Sequence, residues 1–294
     1  MNEYGLDIDC FSNLRDIRFY PDLFGVCNAR LISQFPLEYE KQVNYLINEL
    51  NKSGEIGDNK KKKIREIYVS LKRKKCFYPI NRIYDYTNEW SDNAITQHRQ
   101  KPFHAMITST EIDSEKWLNP KTFTSTDPLM QTQRGAKVER NAEEIAMFAE
   151  ELLWMSNYIL FVDPYFKGSE LEKNEVLSKL LEKISNSEIE IQNRVIEYHV
   201  DDTKIPSTFE KLLNENVKPF IPKNTNITFI TRPTKEMHNR FILTSEGGIL
   251  LGQGLMEHTP MQPNLDNIGF LDFDEWQEEY RSHRDGTQIN RIEL

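Results

Sequence analysis

A chain of 294 residues, 38% hydrophobic and 28% charged, has the make-up of a water-facing globular protein and exceeds one small domain, so two units or one elaborated domain are expected. It contains no run of about 18 apolar residues to span a bilayer, and a net charge of −9 speaks against adhesion to nucleic acid over the whole surface. Three widely spaced cysteines, Cys10, Cys27 and Cys76, exclude a disulfide framework or a Cys-x-x-Cys zinc site, and the acidic stretch MNEYGLDIDC lacks the basic and apolar regions of a secretion signal, so a cytoplasmic protein with reduced thiols is expected.

From Met1 to about Phe35 apolar and aromatic residues are frequent, but neither the helical nor the strand period holds, and irregular structure with short helices is expected. Pro36 suits the first turn of a helix in which Tyr39, Val43, Tyr45, Leu46 and Leu50 fall near helical spacing. A second helix from about Asp58 to Lys74 carries Ile64, Ile67, Tyr68 and Leu71 on one stripe, giving an αα-hairpin. Between Lys60 and Lys75 nine Lys and Arg residues face the single acid Glu66. Lys61, Lys62, Arg65, Lys72 and Arg73 are candidate phosphate contacts for nucleic acid; the same residues equally suit a solvated helix face. Phe103–Ile107 reads as a strand, and His98 and His104 as structural residues. The stretch from Asp113 to Gly135 has loop composition, dividing a mainly α-helical region, 1–135, from an α/β domain, 136–294.

After Gly135 the pattern becomes regular. A helix is expected from about Val138 to Ser156, a buried strand at Tyr158–Val162 ending at Asp163-Pro164, and a helix capped by Ser169. A strand over Ile189–Val200, a helix over Ser207–Asn216 and a strand over Ile227–Thr231 follow. Helices alternating with short apolar strands imply a mixed sheet flanked by helices. Ligands of such sheets bind beyond the carboxyl ends of the strands, which nominates Asp163, His199 and Arg232 as substrate-binding residues. Glu197, His199 and Asp201 alternate to one face, as a polar cleft wall would. The tail holds a strand near Ile268–Leu271 and an acidic helix from Asp272, suited to covering a sheet edge or to pairing between subunits.

The most specific stretch is Met237–Met256, MHNRFILTSEGGILLGQGLM. Gly247-Gly248 between two apolar runs signals a hairpin, and two-residue spacing puts His238 and Arg240 on one strand face. The stretch resembles the signature of the phospholipase D superfamily: His-x-Lys, four residues, Asp, six residues, Gly-Ser, then Asn. The spacing is kept, with His238 at the histidine, Arg240 at the lysine, Ser245 at the aspartate, Gly252-Gln253 at Gly-Ser and Met256 at the asparagine. Prokaryotic relatives with a His-Asp-Arg-Phe variant are more similar still, and the resemblance covers about Val138 to Met256.

The resemblance implies a fold and a chemistry. His238 is the implied nucleophile on a phosphodiester, passing through a phosphohistidine, with Arg240 holding the phosphate as a planar fork. Glu246 is the nearest carboxylate to replace the one at Ser245, and Gly252, Gln253 and Arg232 join the phosphate site. The second histidine that the route requires comes from a homodimer pairing two His238 rings, or from His199 within the chain. Such a nuclease needs no metal or cofactor, and its relatives imply a role in prokaryotic defence. Against it stands a degenerate module that binds nucleic acid or a protein partner without turnover, since the Asp, Ser and Asn positions have changed.

Overall fold

Asn2–Leu6 forms a strand, β1, where the sequence pattern suggests only short helices. This computed structural model describes residues 1–37, 39–54, 56–79, 82–222, 225–260 and 264–294. The chain divides into two units, Met1–Gln133 and Arg134–Leu294. No described helix is long and apolar enough to cross a membrane.

The first unit has a parallel sheet at its centre, which a mainly helical reading omits. After β1 come helices α1 (Leu14–Ile17) and α2 (Tyr20–Leu23), strand β2 (Arg30–Ser33), helices α3 (Tyr39–Lys52) and α4 (Asp58–Arg73), and strand β3 (Phe77–Tyr78). Helix α5 (Trp90–Gln100) then leads to β4 (Ala105–Ile107) and β5 (Trp117–Leu118). The strands lie in the order β3-β2-β1-β4-β5, every neighbour parallel. Helices α3 and α4 stand where the apolar spacing puts them. α4 packs its stripe on α1 and α2, and α3 packs on the 3-10 turn Ile8–Ser12, so each docks on the body of the unit. Ile64 and Leu71 of α4 are fully buried, and each such side chain contributes about 1.5–3 kcal/mol.

The second unit contains an eight-stranded mixed sheet flanked by helices. Its elements are β6 (Gly135–Glu139), α6 (Ala142–Trp154), β7 (Tyr158–Val162), α7 (Leu171–Ser185), β8 (Val195–Asp201), α8 (Phe209–Leu212), β9 (Thr228–Arg232), β10 (Arg240–Thr244), β11 (Gly248–Leu251), β12 (Leu265–Phe270), α9 (Phe273–Asp285) and β13 (Asn290–Glu293). They run in the order β13-β9-β8-β7-β10-β11-β12-β6. β7, β8 and β9 are parallel, and every other pairing is antiparallel. Residues in β7 through β9 are almost all buried, which is why they read as apolar runs without alternation. Helix α9 covers the face made by Leu160, Val162, Phe241 and Leu243, with Trp276 donating its indole N–H to the Thr244 carbonyl at 2.9 Å.

Three local readings are corrected. β6 occupies residues assigned to loop and helix start, because its exposed alternation carries little apolar signal. The expected strand over 189–200 begins only at Val195. Glu170, not Ser169, sits at the N-cap of α7, without a side-chain cap.

Candidate functional site

The hairpin forms where the two glycines put it, but Gly248 pairs with Leu243 inside β11 and neither glycine has a positive φ, so the turn is not the Gly-Gly turn expected. Phe241 pairs with Leu250 and Ile242 with Ile249, while the Thr244 hydroxyl accepts the N–H groups of Glu246 and Gly247, both at 3.1 Å. Regular pleating starts at Arg240, however, so His238 precedes the strand and does not share a strand face with Arg240 by alternation. His238 is exposed. The Glu279 carboxyl is raised by burial first, then by Glu278 and Glu275, with His238 opposing. Glu246 lies in the turn at the far end of β10, roughly 13 Å of strand away at 3.3 Å per residue, so the fold does not bring it to His238.

What gathers at the start of β10 is a different set. β10 is antiparallel to β7 with Phe241 opposite Val162, which puts Arg240 beside Asp163 at the carboxyl end of β7. Asp163 is buried; its Oδ1 accepts the Tyr165 N–H at 2.9 Å, and its Oδ2 lies 3.7 Å from Lys173 Nζ. Lys173, on the first turn of α7, is also buried and donates to the Tyr165 carbonyl. Asp163 therefore does both things open to an acid before proline: it closes a turn and pairs with a cation. The Tyr165 ring projects outward, 45% exposed, with the Arg240 guanidinium 5.0 Å and Lys204 Nζ 5.8 Å from its centroid. Among the described residues neither Arg240 nor Lys204 makes an ion pair. Gly254, at φ +94°, lets the loop after β11 pass over this group; a Cβ there would lie 3.3 Å from Arg240 Cγ and 3.5 Å from Asp163 Oδ2.

His199 and Arg232 belong to a second, closed group. Both are fully buried. His199 Nε2 lies 3.1 Å from Glu197 Oε2, and Arg232 Nη1 lies 3.3 Å from His199 Nδ1. An N–H aimed at Nδ1 needs its lone pair, so the ring is neutral with its proton on Nε2, donated to Glu197. Burial, opposed by Glu197 and reinforced by Arg232, lowers the His199 pKa in agreement. Arg232 also donates to the carbonyls of Ser282 and His283 at the end of α9 and to Glu236 Oε2 at 3.0 Å. The His283 ring stands 5.8 Å from that of His199, its pKa pushed down to about 3 by burial and by the neighbouring His199 and Arg232. The polar face formed by Glu197 and His199 thus exists but faces α9. As a cation at the carbonyl end of a helix, Arg232 anchors α9.

Gly252 and Gln253 sit at neither group. They wrap the buried Asp266, whose Oδ2 accepts the Gln253 N–H at 2.9 Å. In the first unit, Lys61 pairs with Asp58, Lys62 with Glu66 and Lys72 with Glu40, while Arg65 and Arg73 make no ion pair among the described residues. No set of three His, Cys, Asp or Glu among the described residues could hold a metal ion. Tyr165, Lys173, Lys204 and His283 belong to no motif of the sequence. Lys173 reads as an ordinary cation of an amphipathic helix, and the one available signal was that Tyr165 and Lys204 follow acids at strand ends.

No family model and no curated protein matches the chain. Among solved structures, one similar chain is TrmBL2, an archaeal chromatin protein with a novel mode of DNA binding, at 11% identity and a TM-score of 0.29, the match spanning 54% of this chain and 55% of that one. A likeness of that size carries no functional argument.

Proposed function

We propose that the second unit is a phospholipase D-like module that holds a phosphate ester at the carboxyl end of β7 without hydrolysing it. The observation that carries this reading is the Tyr165 ring flanked by Arg240 and Lys204, two cations without ion pairs among the described residues, beside the buried Asp163–Lys173 pair. The ring offers a face for a nucleobase and the cations offer charge for its phosphate. Support for the fold comes from the strand–helix alternation leading to the β10–β11 hairpin, the order the resemblance implies. Lack of turnover is supported by the placement of the other groups: Glu246 lies at the wrong end of β10, and the two histidine rings that do meet, His199 and His283, are buried.

The test is calorimetry with a dinucleotide and with inorganic pyrophosphate, beside a hydrolysis assay on a chromogenic phosphodiester. Binding that falls at least tenfold in Arg240→Ala, with no product in either protein, is the expected result. Phosphodiester cleavage lost in His238→Ala would overturn it.

One observation favours a second reading: His238 is exposed, as a nucleophile completed by the same residue of a partner copy must be. Sedimentation velocity separates the two, because the catalytic reading needs a dimer and the binding reading does not.

A further inference from the structure

The first unit contains a groove of about 620 Å³ between α1–α2 and α4. One wall carries Arg15 and Arg18, the other Lys63, Arg73 and Lys74, against two acids, Asp22 and Glu66. The acids are already engaged: Asp22 Oδ1 lies 2.6 Å from Lys74 Nζ, and Glu66 Oε1 lies 3.8 Å from Lys62 Nζ on the outer side of the helix. Among the described residues Arg15, Arg18, Lys63 and Arg73 make no ion pair, and all four are exposed. Four uncompensated cations on two facing walls, in a chain of net charge −9, form a local field opposite in sign to the whole.

The dimensions select the kind of anion. Lys63 and Arg73 are ten residues apart on α4, about 15 Å at 1.5 Å per residue. That length matches the rise of about four nucleotides of one strand at 3.4 Å each, and exceeds any single phosphate group. The groove floor, lined by Pro21 and Ile67, adds apolar surface between the walls, so the cations act beside a low-dielectric patch.

We infer that this groove seats the phosphate backbone of a nucleic acid, with Arg15 and Arg18 gripping from one side and Lys63 and Arg73 from the other. This keeps Arg73, puts Lys63 in place of Lys61, Lys62, Arg65 and Lys72, and adds Arg15 and Arg18 from a segment that carries no cation run in the sequence. The inference rests on the first unit alone and stands apart from the reading of Arg240.

The experiment is fluorescence anisotropy of the full chain with a labelled single-stranded oligonucleotide, its duplex, and vesicles containing phosphatidylserine, over a series of salt concentrations. Four phosphate contacts give log–log salt slopes of about −3 to −4, and each cation removed flattens the slope by about 0.7–0.9. Arg15→Glu with Arg73→Glu is expected to weaken oligonucleotide binding at least tenfold. Lys61→Gln with Arg65→Gln, on the outer face and leaving the Lys62–Glu66 pair intact, is expected to change it less than threefold. Circular dichroism melts check folding, and Arg15→Gln with Arg73→Gln replaces the reversal pair should that pair fail to fold. The inference is overturned by no binding in the wild type, by equal loss in both pairs, by vesicle binding in place of oligonucleotide binding, or by loss in Arg240→Ala with the groove variants unaffected. That last outcome would leave the reading of the second unit standing, whereas binding insensitive to Arg240→Ala but lost in the groove variants supports the groove alone.

Discussion

Two arginines at one end of the same sheet have opposite fates. Arg232, at the carboxyl end of β9, is enclosed by a neutral histidine, a carboxylate and two helix-end carbonyls; Arg240, at the start of β10, lies over a half-exposed tyrosine with no carboxylate bound to it. An arginine whose N–H groups are all aimed inward is part of the framework, whereas one left over an aromatic face retains donors for a ligand. Position beyond a strand end is therefore not enough to nominate a binding residue; what closes over that end decides.

The sharpest way to break this contrast is to remove each guanidinium. Arg232→Ala leaves Glu236 and two carbonyls without their donor, and urea unfolding is expected to show a loss of about 3–5 kcal/mol. Arg240→Ala should stay within about 1 kcal/mol of wild type in the same assay, and equal losses would abolish the distinction.

Acidity separates the two units in the same manner, at about 2 kcal/mol each. His283 has its pKa lowered to about 3 in the fold, so between the ordinary histidine range and pH 3 the unfolded chain binds the extra proton. Its contribution is fully present above pH 6.5 and is lost as pH falls, by about 2 kcal/mol between pH 6 and 4. Asp7 in the first unit runs the other way. Burial, opposed by the Thr108 hydroxyl at 2.7 Å, raises its pKa to about 6, so the native state holds the proton and gains about 2 kcal/mol over the same interval. Hydrogen exchange should show amides of β8 and β9 losing protection on acidification while those of β1 and β4 gain it; parallel changes in both would refute the assignment.

A smaller effect sharpens the comparison. Gly254→Ala puts a side chain at φ +94° and against Arg240, so a loss of about 1–2 kcal/mol is expected together with weaker ligand binding. A stability loss with unchanged affinity would mean that Arg240 does not depend on the loop for its position.

How far these features could be read from the sequence follows from whether their signal is local. Tyr158–Val162 was legible to the residue because a strand buried on both faces is apolar throughout, and the hairpin because its two glycines announce it. The parallel sheet of the first unit was not, since β3 and β5 contribute two residues each and no periodicity survives at that length. The cluster at Tyr165 was hidden for another reason. Its members come from α7, β10 and the loops after β7, β8 and β11, and only the strand order brings them to one edge. His199 and Arg232 were nominated by a sound rule about strand ends, and the helix that seals them lies some fifty residues or more downstream.

The seat of α9 on the hairpin also supplies an optical handle. The chain has four tryptophans, Trp90 and Trp117 in the first unit and Trp154 and Trp276 in the second. Trp276 is buried with its indole tied to the hairpin, so its emission shifts to the red as the helix lifts. Comparing wild type with Trp276→Phe isolates that signal, so the loosening of α9 can be followed by itself.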